Sequence, residues 1–120
     1  MQAAVVPEAG GEFELVERDL PVPTADEVRI AVEACGVCHS DAFVKEGGHP
    51  QLSYPRVPGH EVTGYVDAVG DDVSQWEEGA FAGAGWHGGH CFICKPVRRR
   101  AVLQHRNPDL TGLTCYRRYV

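Results

Sequence analysis

EVRIAVEACGVCHSD, residues 27 to 41, decides how this chain of 120 residues folds. From Glu27 to Ala34 the residues alternate, with Val28, Ile30 and Val32 on one face and Glu27, Arg29, Ala31 and Glu33 on the other. Alternation with a period of two marks a half-buried strand. That strand delivers the chain into Cys35-Gly36-Val37-Cys38, where glycine allows a tight bend that turns a thiolate inward. Ser40 is then placed to cap a short helix through Asp41-Ala42-Phe43-Val44-Lys45, ended by Gly47-Gly48.

Working outward, a second motif, Pro58-Gly59-His60-Glu61, follows about twenty residues later and opens a second alternating run. There Val62, Gly64, Val66 and Ala68 alternate with Thr63, Tyr65, Asp67 and Val69, and Gly70-Asp71-Asp72 closes the strand. The loop between, with prolines at 50, 55 and 58, is expected to be ordered by a binding site rather than by its own structure. Towards the start, Ala3 to Val6 and Phe13 to Val16 predict two short strands around the turn Ala9-Gly10-Gly11. Leu20-Pro21-Val22-Pro23 runs extended, because each proline disfavours helix in the residue before it. Ala80 to Gly85 is small and apolar and leads to Trp86-His87-Gly88-Gly89-His90-Cys91; beyond Cys94 there is no convincing period of either kind. The sum is a mostly β domain, a partly open β-barrel with short helices and an irregular C-terminal tail.

Charge separates body from tail. Residues 1–94 carry 16 acidic against 4 basic residues, and residues 95–120 carry 7 basic residues against Asp109 alone. Only Arg98, Arg99 and Arg100 are consecutive and no amphipathic pattern accompanies them, so neither nucleic acid nor a membrane surface is expected as a partner. The start lacks the basic end and apolar run of a signal peptide, and no stretch approaches the roughly eighteen apolar residues of a membrane span. A cytoplasmic location is expected. Five cysteines, an odd number, then read as thiols and metal ligands rather than disulfides.

Zinc takes nitrogen and sulfur ligands in a tetrahedron, and a catalytic site keeps one position open. Cys38 and His60 supply two ligands, and Asp41 and Glu61 make sense as carboxylates that orient a ligating imidazole. Taken singly, Cys38 reads as a small buried residue, His60 as a hydrogen-bonded loop histidine and Glu61 as a surface charge. Their conjunction, one motif leaving a strand and the other entering the next, is far rarer than its parts.

ACGVCHSD, YPRVPGHEVTGYVDAVGDDV and GWHGGHC together resemble the zinc-dependent medium-chain alcohol dehydrogenases, whose N-terminal catalytic domain is a GroES-like barrel. The resemblance runs from residue 1 to about 94, which sets the expected domain, with 95–120 as a degenerate structural-zinc lobe and truncated tail. It implies catalytic zinc on Cys38 and His60, with Glu61 as an acidic neighbour that exchanges with substrate or water. It gives Asp41 the role of holding the His60 ring, Ser40 that of taking the alcohol proton, and His39 a contact with the cofactor pyrophosphate. The implied reaction is oxidation of a small alcohol to an aldehyde or ketone, by hydride transfer from a zinc-bound alkoxide to NAD(P).

The sequence also departs from that family. The third protein ligand of the catalytic zinc is not expected among these residues, nor is the dinucleotide-binding domain with its G-x-G-x-x-G fingerprint. Of the family's four-cysteine structural zinc lobe, Cys91 and Cys94 keep the first two places, Val97 takes the third and His105 the fourth. Cys91, Cys94 and His105 can form a degenerate site, completed by His90, His87 or Cys115. Phe43 stands where many members carry a histidine that ends the proton relay. The charge reversal coincides with the loss of the lobe, which suggests a shifted reading frame and an incomplete, weakly zinc-binding chain that is inactive alone. Self-association, or pairing with a separate cofactor-domain chain, is expected of a barrel lacking its partner. An alternative from another class is a four-cysteine zinc ribbon or rubredoxin-like module on Cys35, Cys38, Cys91 and Cys94. It leaves His60, Asp41 and Ser40 without a role.

Overall fold

The computed structural model describes residues 1–48, 50 and 52–85. Among these the chain is mostly β, with two open sheets and one short helix. Cys91, Cys94, His105 and the proposed boundary at residue 94 lie outside the described residues.

Strands β1 (Gln2–Val5) and β2 (Glu14–Glu17) pair antiparallel, with Ala3 opposite Val16. They fall within one residue of the two runs expected from the sequence. The second sheet has the order β3-β4-β5, all antiparallel, from β3 (Val28–Cys35), β4 (Val62–Val69) and β5 (Phe81–Ala84). The small apolar segment before Gly85 is thus a strand, which its brevity and lack of alternation did not disclose. The helix α1 (His39–Lys45) lies between β3 and β4 in the chain.

The period-two pattern positions the core. Val28, Ile30, Val66 and Ala82 are buried together, and Val69, Val73, Trp76, Ala80 and Ala84 pack against them. Val62 and Gly64 continue that buried face along β4, as alternation requires. Two irregularities interrupt the β3–β4 ladder, one between Arg29 and Ile30 and one between Val32 and Ala34. At the first, Asp67 is the unpaired extra residue of β4, and its carboxylate accepts from Arg29 Nε at 2.8 Å.

Val32 departs from expectation. Alternation places it on the buried face, yet it is 49% exposed. Its partner is Gly64, which has no side chain to cover it, and β3 is the edge strand of its sheet. An open groove of about 430 Å³ runs between β3 and β1, lined in part by Ala3, Leu20, Ile30, Val32 and Pro58. The two sheets therefore stand side by side without closing.

The loop before β4 also corrects the sequence reading. It is held by the domain itself: Arg56 and Val6 exchange both backbone hydrogen bonds, at 2.7 and 2.9 Å, and the Tyr54 hydroxyl donates to the Val44 carbonyl. No helix among the described residues is long and apolar enough to cross a membrane.

Candidate metal centre

The two motifs meet because the β3–β4 register forces them to. Cys35, the last residue of β3, lies opposite Val62, the first of β4. Residues just after the one and just before the other must then be neighbours. Gly36 N–H donates to the Glu61 carbonyl at 2.9 Å and extends the ladder by one bond. A Cβ on residue 36 would stand 3.0 Å from the Glu61 Cβ and 2.2 Å from its Oε2, so only glycine permits this approach. Gly59, at φ +123°, supplies the left-handed backbone that turns the chain into His60.

Two bends then aim the side chains. After Gly36 the chain passes Val37 and enters α1, whose N-cap is Cys38, where Ser40 was expected. The reason is the sulfur: Cys38 Sγ accepts the Ser40 N–H at 3.3 Å, doing the work usually left to a serine or aspartate oxygen. In return the Asp41 Oδ2 accepts the Cys38 N–H at 2.8 Å, which completes a capping box.

Around the sulfur the geometry is close. Cys38 Sγ lies 3.1 Å from His60 Nε2 and 2.7 Å from Ser40 Oγ. On the far side of the imidazole, His60 Nδ1 lies 3.2 Å from Asp41 Oδ1. Both residues are buried, Asp41 at 8% exposure and His60 at 7%. A buried carboxylate facing Nδ1 favours the tautomer with its proton there, and that leaves the Nε2 lone pair turned towards the sulfur. The Nδ1 contact is ionic in distance but off the straight line of a hydrogen bond, and Asp41 Oδ1 has no other hydrogen-bond partner among the described residues.

This donor set fits zinc. A tetrahedral ion with sulfur at ~2.3 Å and nitrogen at ~2.0–2.1 Å holds those atoms about 3.6 Å apart, so the pair needs to open by only about 0.5 Å. Among the described residues, Cys38, Asp41 and His60 form a group able to hold a metal ion, their ligand atoms within 4.8 Å of one another. Asp41 is committed on one oxygen to Cys38 N–H and on the other to the imidazole, which makes it the group that orients the ligands. Glu61 reaches towards the same place from the open side, its Oε1 4.0 Å from His60 Nε2 and its side chain 50% exposed. His39 is exposed on the first turn of α1, and Phe43, 46% exposed, lies one turn further on.

Cys35 is not in the group. It is exposed at the end of β3 with its thiol towards the Gly36 carbonyl, so the four-cysteine alternative is not favoured. One sequence expectation needs correcting: Gly83-Ala84-Gly85-Trp86-His87-Gly88 does carry the G-x-G-x-x-G spacing. Its first glycine, however, lies inside β5, paired antiparallel with Thr63, whereas a dinucleotide fingerprint occupies the turn from a strand into a helix. Residues 86–88 of that run lie outside the described residues. Sequence reading missed Tyr54, whose only signal was an aromatic residue in the short segment joining the two motifs.

Comparison with known proteins agrees with this geometry. The model of the alcohol dehydrogenase GroES-like domain family matches residues 24–120. Alcohol dehydrogenase patD of Penicillium expansum is 47% identical over 92% of this chain and 32% of its own length. Aldehyde reductase AdhA of Synechocystis sp. is 45% identical over 72% of this chain and 26% of its own. A solved structure of an NAD-dependent alcohol dehydrogenase superposes with a TM-score of 0.76 at 25% identity, covering all of this chain and 35% of that one. The chain thus spans about a third of the length of the relatives it matches. It belongs to the alcohol dehydrogenase GroES-like domain family, within the medium-chain alcohol dehydrogenases.

Proposed function

We propose that this domain carries the zinc-binding and proton-handling part of an NAD(P)-dependent alcohol dehydrogenase acting on a small alcohol or aldehyde. The observation that carries the reading is the pairing of Cys38 Sγ with His60 Nε2 at 3.1 Å, backed by Asp41 on the other face of the imidazole. Zinc, when bound, supplies Lewis-acid polarisation of a substrate oxygen, which lets an alcohol lose its proton near neutral pH. Cys38 and His60 hold the ion, and Glu61 offers an oxygen donor from the exposed side. Asp41 keeps the imidazole in the ligating tautomer and accepts from Cys38 N–H, so that one carboxylate fixes both ligands. Ser40, with its hydroxyl beside the sulfur, takes the substrate proton as its own O–H proton leaves to solvent water, since Phe43 carries no group that can relay it. His39, exposed on the same turn, contacts the phosphates of the cofactor.

Support for the cofactor comes from the relatives, among them the structure described as NAD-dependent. The second zinc, on Cys91, Cys94 and His105, lies outside the described residues and is proposed on the sequence alone. The reducing, cytoplasmic setting is proposed on the sequence, whose odd number of cysteines reads as thiols and metal ligands. Exposed Leu15, Val22 and Phe81 support self-association or a partner carrying the cofactor domain.

A graft tests the proposal. Residues 1–85 replace the corresponding part of the patD enzyme, and NAD(P) reduction is followed with that enzyme's own alcohol. The graft should turn over and lose activity with Cys38→Ser. A folded, inactive graft, or turnover indifferent to Cys38→Ser, would overturn the reading.

A further inference from the structure

We propose that Tyr54 is a positioning residue of the metal centre, tying the segment that bears His60 to the helix that bears Cys38 and Asp41. The inference rests on the reading of Cys38 and His60 as metal ligands.

Helix α1 has 7 residues, too few to hold a shape or a direction on its own. Its orientation is therefore set by whatever grips its ends. The N-terminal end carries the chemistry, with Cys38 as cap and Asp41 in the first turn. The C-terminal end is gripped from outside the helix. The Tyr54 hydroxyl donates to the Val44 carbonyl, and Gly10 N–H donates to the Lys45 carbonyl at 2.8 Å. These carbonyls belong to the last turn, where the helix leaves acceptors without intrahelical donors. Val44, whose carbonyl also receives Gly47 N–H at 3.2 Å, is fully buried.

Tyr54 and His60 lie on one short segment, six residues apart. The two backbone bonds between Arg56 and Val6 fix that segment to the N-terminal part of the domain. The Tyr54 hydroxyl is then a cross-tie, with one ligand's segment on one side and the other ligand's helix on the other. The β3–β4 ladder sets how closely the two backbones approach at Gly36 and Glu61. The tilt of α1, and so the direction of Cys38 Sγ towards His60 Nε2, depends on the tie. The hydroxyl touches neither ligand.

The test uses the 120-residue chain with Cys91→Ser, Cys94→Ser and Cys115→Ser throughout, so that tail thiols add no signal. Cobalt(II) is the probe, read by its thiolate charge-transfer and d–d bands, beside thermal unfolding of the metal-free chain. Tyr54→Phe keeps the ring and removes the tie. It should bind cobalt about tenfold more weakly, about 1.4 kcal/mol, with displaced bands. Val28→Ala, in the core at the end of β3 away from Cys35, is the control: it should lower the unfolding midpoint while leaving affinity and bands as they were. If Tyr54→Phe unfolds the chain, the comparison is repeated in an osmolyte that restores folding. Unchanged affinity and bands in Tyr54→Phe would overturn the tie alone. Absence of a thiolate band in the parent chain would overturn the ligand reading, and the tie with it.

Discussion

Replacing Asp41 by asparagine asks one carboxylate to give up half of what it does. In the native site Oδ2 accepts the Cys38 N–H at 2.8 Å while Oδ1 faces His60 Nδ1 at 3.2 Å. Oδ2 accepts a hydrogen bond and Oδ1 presents its negative charge to the imidazole, a pair of roles that an ionised carboxylate can fill with two oxygens and an amide cannot. If the asparagine oxygen stays on Cys38 N–H, its NH₂ group points at Nδ1. The imidazole proton is then pushed to Nε2, on the side where the ligand lone pair is needed. If the amide flips, the helix loses its reciprocal cap. Disruption of such a supporting partner costs about 10- to 100-fold in metal affinity, which is about 1.4–2.8 kcal/mol. The loss should fall mainly on binding, because asparagine remains a good partner at a helix start. Zinc affinity by competition with a chromophoric chelator, beside thermal unfolding of the metal-free chain, separates the two effects. Binding within twofold of the parent would refute the assignment of Asp41 as the group that fixes the imidazole.

Two further changes follow from contacts already described. Gly36→Ala brings a methyl group to 3.0 Å from the Glu61 Cβ, which is held by the ladder and cannot swing aside as Oε2 can. It should cost the ~1–3 kcal/mol of an overpacked site in urea unfolding and weaken zinc binding as well; full stability would mean the motifs are not in contact. Asp67→Asn removes the partner of Arg29 Nε, a pair with Asp67 36% exposed. It should cost under about 1 kcal/mol, less still at 1 M salt, and a loss above about 2 kcal/mol insensitive to salt would show that the bulge depends on this contact.

The alternation of Val28 and Ile30 against Val62, Gly64 and Val66 was enough to locate β3 and β4, because one buried face imposes a period of two that can be read without coordinates. The site was legible for the same reason. Once the exit of β3 and the entry of β4 are recognised, antiparallel pairing places Gly36 against Glu61 and brings Cys38 to His60. The cap on α1 was misassigned because serine outranks cysteine as a capping residue, whereas here a sulfur beside the Ser40 amide takes that role. Val32 was misplaced because alternation says which face a residue takes, but only the partner, here Gly64, says whether that face is covered. Tyr54 left no pattern, since a hydroxyl reaching a helix carbonyl ten residues back has no periodic signature.

The ligand shell of bound zinc tests the central claim most directly. X-ray absorption at the zinc edge, on the chain with Cys91→Ser, Cys94→Ser and Cys115→Ser and one equivalent of metal, counts sulfur and lighter neighbours separately. Cys38 and His60 predict one sulfur at ~2.3 Å, one imidazole nitrogen at ~2.0–2.1 Å, and the rest oxygen. Loss of the sulfur in Cys38→Ser should follow. A shell of two sulfurs, or of oxygen alone, would contradict the centre described.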